Sequence, residues 1–282
     1  MVGLTSKLAR LSLGAALTLG LATAAEAAAA PGRIAPNSPA LAAQWRAIAD
    51  LPDWSGVWDP DRPQEARNLR ENKPPWNAKA QKEIDWQRKE TAEGRPPLVL
   101  YGCFPHGMPT WMMINHNVME IIFSAGRVTM LGEVDGNRMR RIFTDGRSHP
   151  EDPDLTMHGH SIGHWEGDTL VIDTVGVAPQ AVIAQSESIG ISNNGDMHVV
   201  ERIRLVAEDR LEVAMTITAP KVFTKPWNTV SYYKRYRGPR FDIVEGQCIR
   251  GDYDEGVDQF GNSIFVPSAV KRELGGVLPL EE

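Results

Sequence analysis

Histidine is the residue type in this chain whose spacing most strongly indicates chemistry. Four of the seven histidines lie close together, namely His149, His158, His160 and His164. In an extended segment, positions 158, 160 and 164 share one face, and a His-x-His pair can place two imidazoles on one metal ion. A histidine near a carboxylate is also the usual general acid or base around pH 7, a role that suits His149 or His160. A hydrogen-bonded structural role is the third interpretation.

Two charged residues fall in rows that are otherwise apolar. Along residues 197–206, Glu201 shares one face with three aliphatic side chains. Arg141 shares a face with Met139 and Phe143. A buried carboxylate and a buried guanidinium are each costly unless paired, so we expect an internal ion pair between Glu201 and Arg141. The pair would be either a structural bridge or a device that orients a ligand or moves protons.

Three further polar residues complete the candidate set. Glu120 and Asp173 each lie between apolar residues two positions away, and are weaker cases of the pattern around Glu201. His198 lies on the opposite face of its run from Glu201. We therefore predict His149, His160 and Glu201 as catalytic residues, and Arg141, His198, Asp173 and Glu120 as substrate-binding residues.

The segment 159–163 matches Gly-x-Ser-x-Gly, the nucleophile elbow of α/β-hydrolases, and Asp173 and His198 follow in the order Ser, Asp, His. An elbow must follow a buried strand and open a helix. Here Pro- and Asp-rich residues precede the motif, a turn and a strand follow it, and alternating βα units are missing from the chain. We therefore disfavour a hydrolase with Ser161 as its nucleophile.

The elements that would position these residues are mostly short β-rich runs separated by turn residues. The runs cover 118–124, 127–134, 138–144, 161–165, 169–175, 197–206, 210–218, 229–237 and 241–248. Asp135 and Gly136 suit a two-residue type I′ hairpin. Strands linked mainly by hairpins predict a mainly all-β protein, an antiparallel meander that closes into a lipocalin-like barrel and so removes its exposed edges.

The first third of the chain has a different texture. Residues 28–105 are Pro-rich and irregular, with short helices expected at 38–51 and 78–93. We predict that they form an arm that wraps a barrel domain spanning residues 106–282. Trp54 and Trp58 flank a turn and suit a plug over a hydrophobic end of that barrel.

The N-terminus has the pattern of an export signal. Lys7 and Arg10 precede an apolar run at 11–25, and small residues two apart follow at Ala25 and Ala27. The run is shorter than the roughly 20 residues needed to span a bilayer. We predict a Sec-type signal peptide at residues 1–27, a periplasmic or secreted location, and no membrane span.

The two cysteines, Cys103 and Cys248, fit this location. An exported protein meets an oxidising compartment in which such a pair usually closes, so we predict one disulfide. In the chain-entropy model a bridge over so long a loop stabilises by roughly 4 to 5 kcal/mol. The alternative is Cys103 as a reactive nucleophile, but no Cys/His motif accompanies it.

Charge and motif content exclude two kinds of partner. The chain has 30 Lys+Arg against 36 Asp+Glu and a net charge of -6, without a basic block or stripe. Nucleic-acid binding therefore has no electrostatic footprint here. The Gly-rich loops that bind dinucleotides or phosphates are also missing, so we expect no nucleotide cofactor.

Several motifs together resemble a large family of exported bacterial proteins, most of them without an assigned function. The motifs are WSGVW at 54–58, CFPHGMP at 103–109, GRSHPED at 146–152, GHSIGHWEGDTLVIDT at 159–174, HVVER at 198–202 and TKPW at 224–227. The resemblance implies an exported, β-rich protein that handles a small molecule, and it implies no particular reaction. Trp54 and Phe104 depart from the family pattern, which has Leu at the first position and Leu or Pro at the second.

We therefore expect an enzyme whose barrel interior holds a small, largely apolar or aromatic molecule for lyase or isomerase chemistry without a cofactor. His149 or His160 would be the base, Glu201 the acid or orienting group, and Arg141 the anchor for a substrate oxyanion or carboxylate. One alternative is metal-assisted hydrolysis with a divalent transition metal at His158, His160 and His164. Another is an exported binding protein for a hydrophobic ligand.

Overall fold

Nine strands close into a barrel in the computed structural model, which describes residues 39–97, 99–100, 106–113, 118–133, 137–236, 242–245 and 253–267. The helices are α1 (Pro39–Ile48), α2 (Arg62–Glu71) and α3 (Ala78–Ala92). The strands are β1 (Val57–Pro60), β2 (Met119–Ser124), β3 (Arg127–Gly132), β4 (Met139–Phe143), β5 (His160–Glu166), β6 (Thr169–Val175), β7 (Val182–Ser186), β8 (Ile189–Ser192), β9 (His198–Ala207), β10 (Arg210–Thr218), β11 (Trp227–Arg235), β12 (Tyr253–Val257) and β13 (Ser263–Pro267). In this part of the chain no helix has the length and apolarity to cross a bilayer.

The predicted mainly-β barrel is confirmed, although its connectivity is not a continuous antiparallel meander. Around the barrel the strand order is β1, β11, β10, β9, β6, β5, β4, β3, β2, and β1 closes the ring by pairing with both β11 and β2. Strands β4 and β5 run parallel, whereas the other neighbouring pairs are antiparallel. The hairpin β7–β8 forms a separate two-stranded sheet, so β6 pairs directly with β9.

The stretch expected to be a wrapping arm also supplies a strand of the barrel. Strand β1 lies within residues 28–105, and its Trp58 is fully buried. Helices α1 and α3 lie at the expected positions, whereas the sequence analysis missed α2. The described residues 242–245, within the run expected to be the last strand, are not in a strand. The predicted signal peptide, Asp135-Gly136 turn and Cys103–Cys248 disulfide lie outside the described residues.

Alternate residues of the barrel strands point inward and form a packed core. Fully or almost fully buried members of these rows include Met130, Ile142, Leu170, Ile172, Val199, Ile203, Leu211, Val213, Met215, Ile217 and Tyr233. Each such aliphatic side chain contributes about 1.5–3 kcal/mol to folding through removal of apolar surface from water. The inward rows of β9 and β10 are those that the sequence alternation predicted.

Helix α2 covers the part of the β11 edge that short β1 does not reach. The side-chain amide of Asn68 donates to the carbonyl oxygen of Val230 at 2.8 Å, and that of Asn72 donates to the carbonyl of Asn228 at 2.7 Å. Residues four apart on a helix and two apart on a strand have nearly the same rise, so the two asparagines match alternate carbonyls of the edge. The side-chain amides thereby replace strand donors along this seam.

Helix α3 binds two hairpins through buried polar side chains. The Gln87 amide donates to the carbonyl of Gly190 on β8 and accepts from its N–H, both at 2.9 Å. Glu83 accepts a hydrogen bond from Asn262, in the turn between β12 and β13. Asn262 also donates to Asp258 at 3.0 Å. Since Glu83 and Gln87 are almost fully buried, these bonds fix α3 against both hairpins.

Candidate active site

Four of the predicted site residues meet on the outer face of the barrel. His160 begins β5, Asp173 lies on β6 and His198 begins β9, and these three strands are neighbours in the sheet. His149 reaches them from the connection between β4 and β5. Asp173 faces outward because the residues on either side of it belong to the inward row of β6.

Hydrogen bonds join the four side chains into one chain. Nε2 of His198 lies 3.0 and 2.9 Å from the two carboxylate oxygens of Asp173. Nε2 of His149 lies 2.9 Å from Oδ1 of Asp173, and Nδ1 of His149 lies 2.8 Å from Nδ1 of His160. The His149 side chain is 19% exposed, against 40% for Asp173 and 42% for His198. His149, which links Asp173 to His160, is therefore partly shielded from water.

The donors and acceptors in this chain follow from the carboxylate. An ionised Asp173 can only accept hydrogen bonds, so the Nε2 atoms of His149 and His198 both carry hydrogens. Nδ1 of a neutral His149 is then an acceptor, and His160 donates to it from its own Nδ1. This tautomer leaves a lone pair on Nε2 of His160, which makes no hydrogen bond to the described residues and is not fully buried. That atom has the properties of a general base.

The imidazole of His160 is held by aromatic and charged neighbours that the sequence analysis missed. It stacks on Phe143 with ring centroids 5.4 Å apart and an interplanar angle of 25°. The guanidinium of Arg147 lies over the same phenyl ring at 3.9 Å and is fixed by Asp145 at 2.9 Å. Burial lowers the pKa of His160, and its proximity to His149 and Arg147 lowers it further. His160 is therefore neutral near pH 7, as a base must be.

Two further arginines make the surroundings of His160 attractive to anions. Arg141 is exposed, and the pairing of Ile142 with Ser161 places Arg141 beside His160 in the parallel ladder. The Arg127 guanidinium lies 5.8 Å from the Phe143 ring. Within the described residues neither Arg127 nor Arg141 has an acidic partner. In the described part of the chain, this region of the outer face therefore carries two arginines without an acidic partner, on a protein whose net charge is -6.

Glu201 lies apart from this chain of histidines, inside the barrel. Glu201 and Arg140 are 0% and 1% exposed, and Arg140 donates to both carboxylate oxygens, with Nη1 at 3.0 Å from Oε1. Nη2 of Arg140 also lies 2.9 Å from Thr174 Oγ1 and 3.1 Å from Ser161 Oγ. The expected ion pair exists, but the expectation that Arg141 forms it is wrong.

The register of one strand pair explains this error. Strand β3 pairs Met130 with Arg140, which places Arg140 in the inward row. A two-residue hairpin at Asp135 and Gly136 would instead place Arg141 opposite Met130. Because the side-chain period of a strand is two, a shift of one residue exchanges the inward and outward faces. The inward row of β3 identifies Arg140 as an inward residue only when the pairing of β3 with β4 is known.

Ser161 is part of the buried polar network and has the surroundings of a structural residue. It lies within β5, is 1% exposed, and its hydroxyl is 2.9 Å from that of Thr174. A nucleophile elbow requires an exposed hydroxyl at a turn from strand to helix. The geometry agrees with the rejection of a Ser161 hydrolase from its sequence context.

The structure does not bring together the three histidines expected to bind a metal. His158 packs inside against Trp111, with ring centroids 5.2 Å apart, while His164 is exposed and lies 3.2 Å from Glu166. Gly159 has φ of +67°, so His158 and His160 point to opposite sides of the barrel wall. Within the described ranges, no group of three His, Cys, Asp or Glu side chains is arranged to hold a metal ion.

Glu120 also lies apart from the other predicted site residues. It is half-buried on β2, where it pairs with Val57 on one side and Leu131 on the other. Its neighbours Met119 and Ile121 are the buried members of β2, so Glu120 faces outward. The alternation that suggested an inward Glu120 was therefore assigned to the wrong face.

Comparison with known proteins adds no assignment to this geometry. No protein-family model matches the chain, and no curated protein matches it.

Proposed function

We propose that this protein is an exported enzyme of the lyase or isomerase type that moves a proton on a small molecule at the outer face of the barrel. The observation that supports the proposal is the hydrogen-bonded chain from His160 through His149 to Asp173. Histidine backed in this way by a second polar group and a carboxylate is a common arrangement for general acid–base catalysis. His198 completes the arrangement because it holds the carboxylate from the other side.

Each member of the chain has a separate role in the proposal. Nε2 of His160 accepts a proton from the substrate, and His160 becomes positively charged. The cation keeps its hydrogen bond from Nδ1 to His149. Asp173 stabilises the positive charge through His149. Arg141 and Arg127 attract a substrate with an acidic or carbonyl oxygen and stabilise negative charge that develops on that oxygen. The apolar or aromatic body of the substrate remains an expectation from the sequence.

The roles can be tested by removing one imidazole at a time. We expect His160→Ala to lower turnover about 10²- to 10⁴-fold, the usual contribution of a positioned general base. His164→Ala is the matched control. His164 is exposed on the same strand but takes no part in the hydrogen bonds that join His160, His149 and Asp173. The substrate would first be found by incubating the protein with a panel of aromatic and carboxylic metabolites and analysing the products by mass spectrometry. Unchanged turnover in His160→Ala, with the fold intact, would overturn the proposal.

One observation favours a second candidate, metal-assisted hydrolysis. Two Nδ1 atoms, those of His149 and His160, approach each other, and Asp173 bonds to the other nitrogen of His149. Carboxylates commonly bond in this way to imidazoles that bind metal. Elemental analysis of the purified protein separates the candidates. A stoichiometric transition metal that is lost in His149→Ala supports hydrolysis, and metal-free protein with full activity supports proton transfer.

A further inference from the structure

The imidazole of His158, which is partly buried, lies inside the end of the barrel where β4 and β5 begin. Both ring nitrogens of His158 are fully buried, and neither has a partner in the described part of the chain. The ring meets Trp111 edge to face, at 5.2 Å and 70°. Buried polar atoms in native proteins are nearly always hydrogen-bonded, so this ring has a capacity for hydrogen bonding that the described residues do not use.

The charges around His158 indicate which kind of group is missing. Burial lowers the pKa of His158 to about 3, with further contributions from the charges of Arg140, Arg138 and His106. Arg140 is neutralised by Glu201, whereas Arg138 has no acidic partner among the described residues. Nε of Arg138 is itself fully buried and without a hydrogen-bond partner. Within the described residues, the guanidinium of Arg138 is therefore a positive charge near His158 that no acidic side chain neutralises.

Among the described residues, the ring nitrogens of His158 and Nε of Arg138 have no hydrogen-bond partner, and this combination of donors suits an anionic oxygen. We propose that this end of the barrel binds the carboxylate group of a small molecule, with His158 and Arg138 as its hydrogen-bond donors. Guanidinium and imidazole N–H groups form strong, charge-assisted bonds to carboxylates. Trp111 provides an apolar neighbour for the remainder of the ligand. The site lies on the inner side of the barrel wall and is independent of His160.

Sodium benzoate is a suitable probe, with benzyl alcohol and benzylamine as neutral and cationic analogues of similar shape. The full chain would be labelled with ¹⁵N-histidine, and the His158 ring signals assigned from their loss in His158→Phe. We expect benzoate to cause a saturable shift of the His158 ring nitrogens, with Kd in the millimolar range or tighter. The two analogues are expected to cause none.

Single substitutions at three positions provide the matched comparison. Arg138→Gln should weaken benzoate binding about 10- to 100-fold, as expected when a hydrogen bond to a charged group is lost. Arg70→Gln, at an exposed position on α2 that belongs to neither site, should leave the affinity unchanged. His160→Ala should also bind benzoate like the unmodified protein, so the outcome does not depend on the proposed catalytic role.

The proposal would be overturned if benzoate caused no saturable shift of His158 in folded protein. Equal binding of benzyl alcohol would also contradict it, because the charge of the ligand would then be irrelevant. A third contrary result is an Arg138→Gln variant that binds benzoate with unchanged affinity. Circular dichroism of each variant ensures that lost binding reflects the site and not unfolding.

Discussion

At the scale of single residues, the pairing of Arg140 with Glu201 is the interaction whose loss should cost most. Arg140→Met leaves a carboxylate buried without its partner, which typically costs about 3–5 kcal/mol. We expect that loss in the free energy of unfolding, measured by urea denaturation. Arg141→Met is the matched control, since Arg141 is exposed, and its effect should stay within about 0.5 kcal/mol.

A double variant separates the ion pair from packing. Replacing both Arg140 and Glu201 by apolar residues of similar volume should recover most of the lost stability, because no buried charge then remains unpaired. If Arg140→Met cost no more than Arg141→Met, the buried pair would not have the importance that its burial indicates.

The sequence predicted the types of residue in the site better than their positions in space. His149, His160, Asp173 and His198 were all predicted, and the structure brings them together. Their location on the outer face was not predicted, since the expected hollow held the imidazoles beside Glu201. Alternation along one strand separates two faces, but only the register with a neighbouring strand shows which face is inside.

At the scale of elements, the backbone conformation of Gly159 directs His158 and His160 to opposite sides of the barrel wall. Its φ is +67°, and an added Cβ would lie 2.5 Å from the carbonyl oxygen of Val175. Gly159→Ala should therefore destabilise the protein through both backbone strain and a clash with a neighbouring strand. We expect a loss above about 2 kcal/mol in the free energy of unfolding, because the left-handed conformation alone costs about 1–2 kcal/mol.

Gly146→Ala separates the two contributions. Gly146 also has a positive φ, of +83°, but an added Cβ meets nothing within 4 Å. Gly146→Ala should therefore show the cost of the backbone conformation alone. Equal losses of unfolding free energy in Gly146→Ala and Gly159→Ala would mean that the close approach to Val175 has no effect.

The elements that could be predicted are those with a strong local pattern. Strands β6 and β10 coincide with the predicted runs, because clean alternation and short turns bound them. Helix α2 and strand β1 were missed for a physical reason. Strand β1 has four residues and gains its order from pairing with β2 and β11, and α2 follows it along the β11 edge. Such tertiary contacts leave no period in the local sequence.

At the scale of the whole molecule, the barrel wall separates two polar systems that are adjacent in sequence. On β5, His160 faces outward and Ser161 inward, and on β6 Asp173 faces outward and Thr174 inward. The outward residues join the histidine chain, and the inward residues bond to Arg140. The inner network therefore fixes the two strands that carry the proposed catalytic groups. A variant of the inner network should affect stability first and turnover only through the positions of those strands.

Two buried carboxyl groups should make the stability of the whole protein depend on pH. The pKa of Glu65 on α2 and that of Glu83 on α3 are both raised from 4.5 to about 8, mainly by burial, and the nearby Asp258 contributes to the rise for Glu83. Between pH 4.5 and about pH 8, the folded protein keeps protons on these two carboxyl groups that the unfolded chain releases. The free energy of unfolding therefore falls as pH rises through this window and levels off above about pH 8. Each group should contribute on the order of 5 kcal/mol to this fall, since one pKa unit corresponds to about 1.4 kcal/mol.

Urea denaturation at several values between about pH 5 and pH 8 measures this slope. Glu83→Gln keeps a neutral side chain of the same shape at all of these values, so it should lose part of the pH dependence and be more stable than the unmodified protein near pH 8. Glu65→Gln should act in the same direction. Glu71→Gln, at the exposed end of α2, is the matched control and should leave the slope unchanged. A stability that is flat with pH, or a slope that survives in the Glu65→Gln/Glu83→Gln double variant, would show that these two carboxyl groups do not hold their protons in the folded protein.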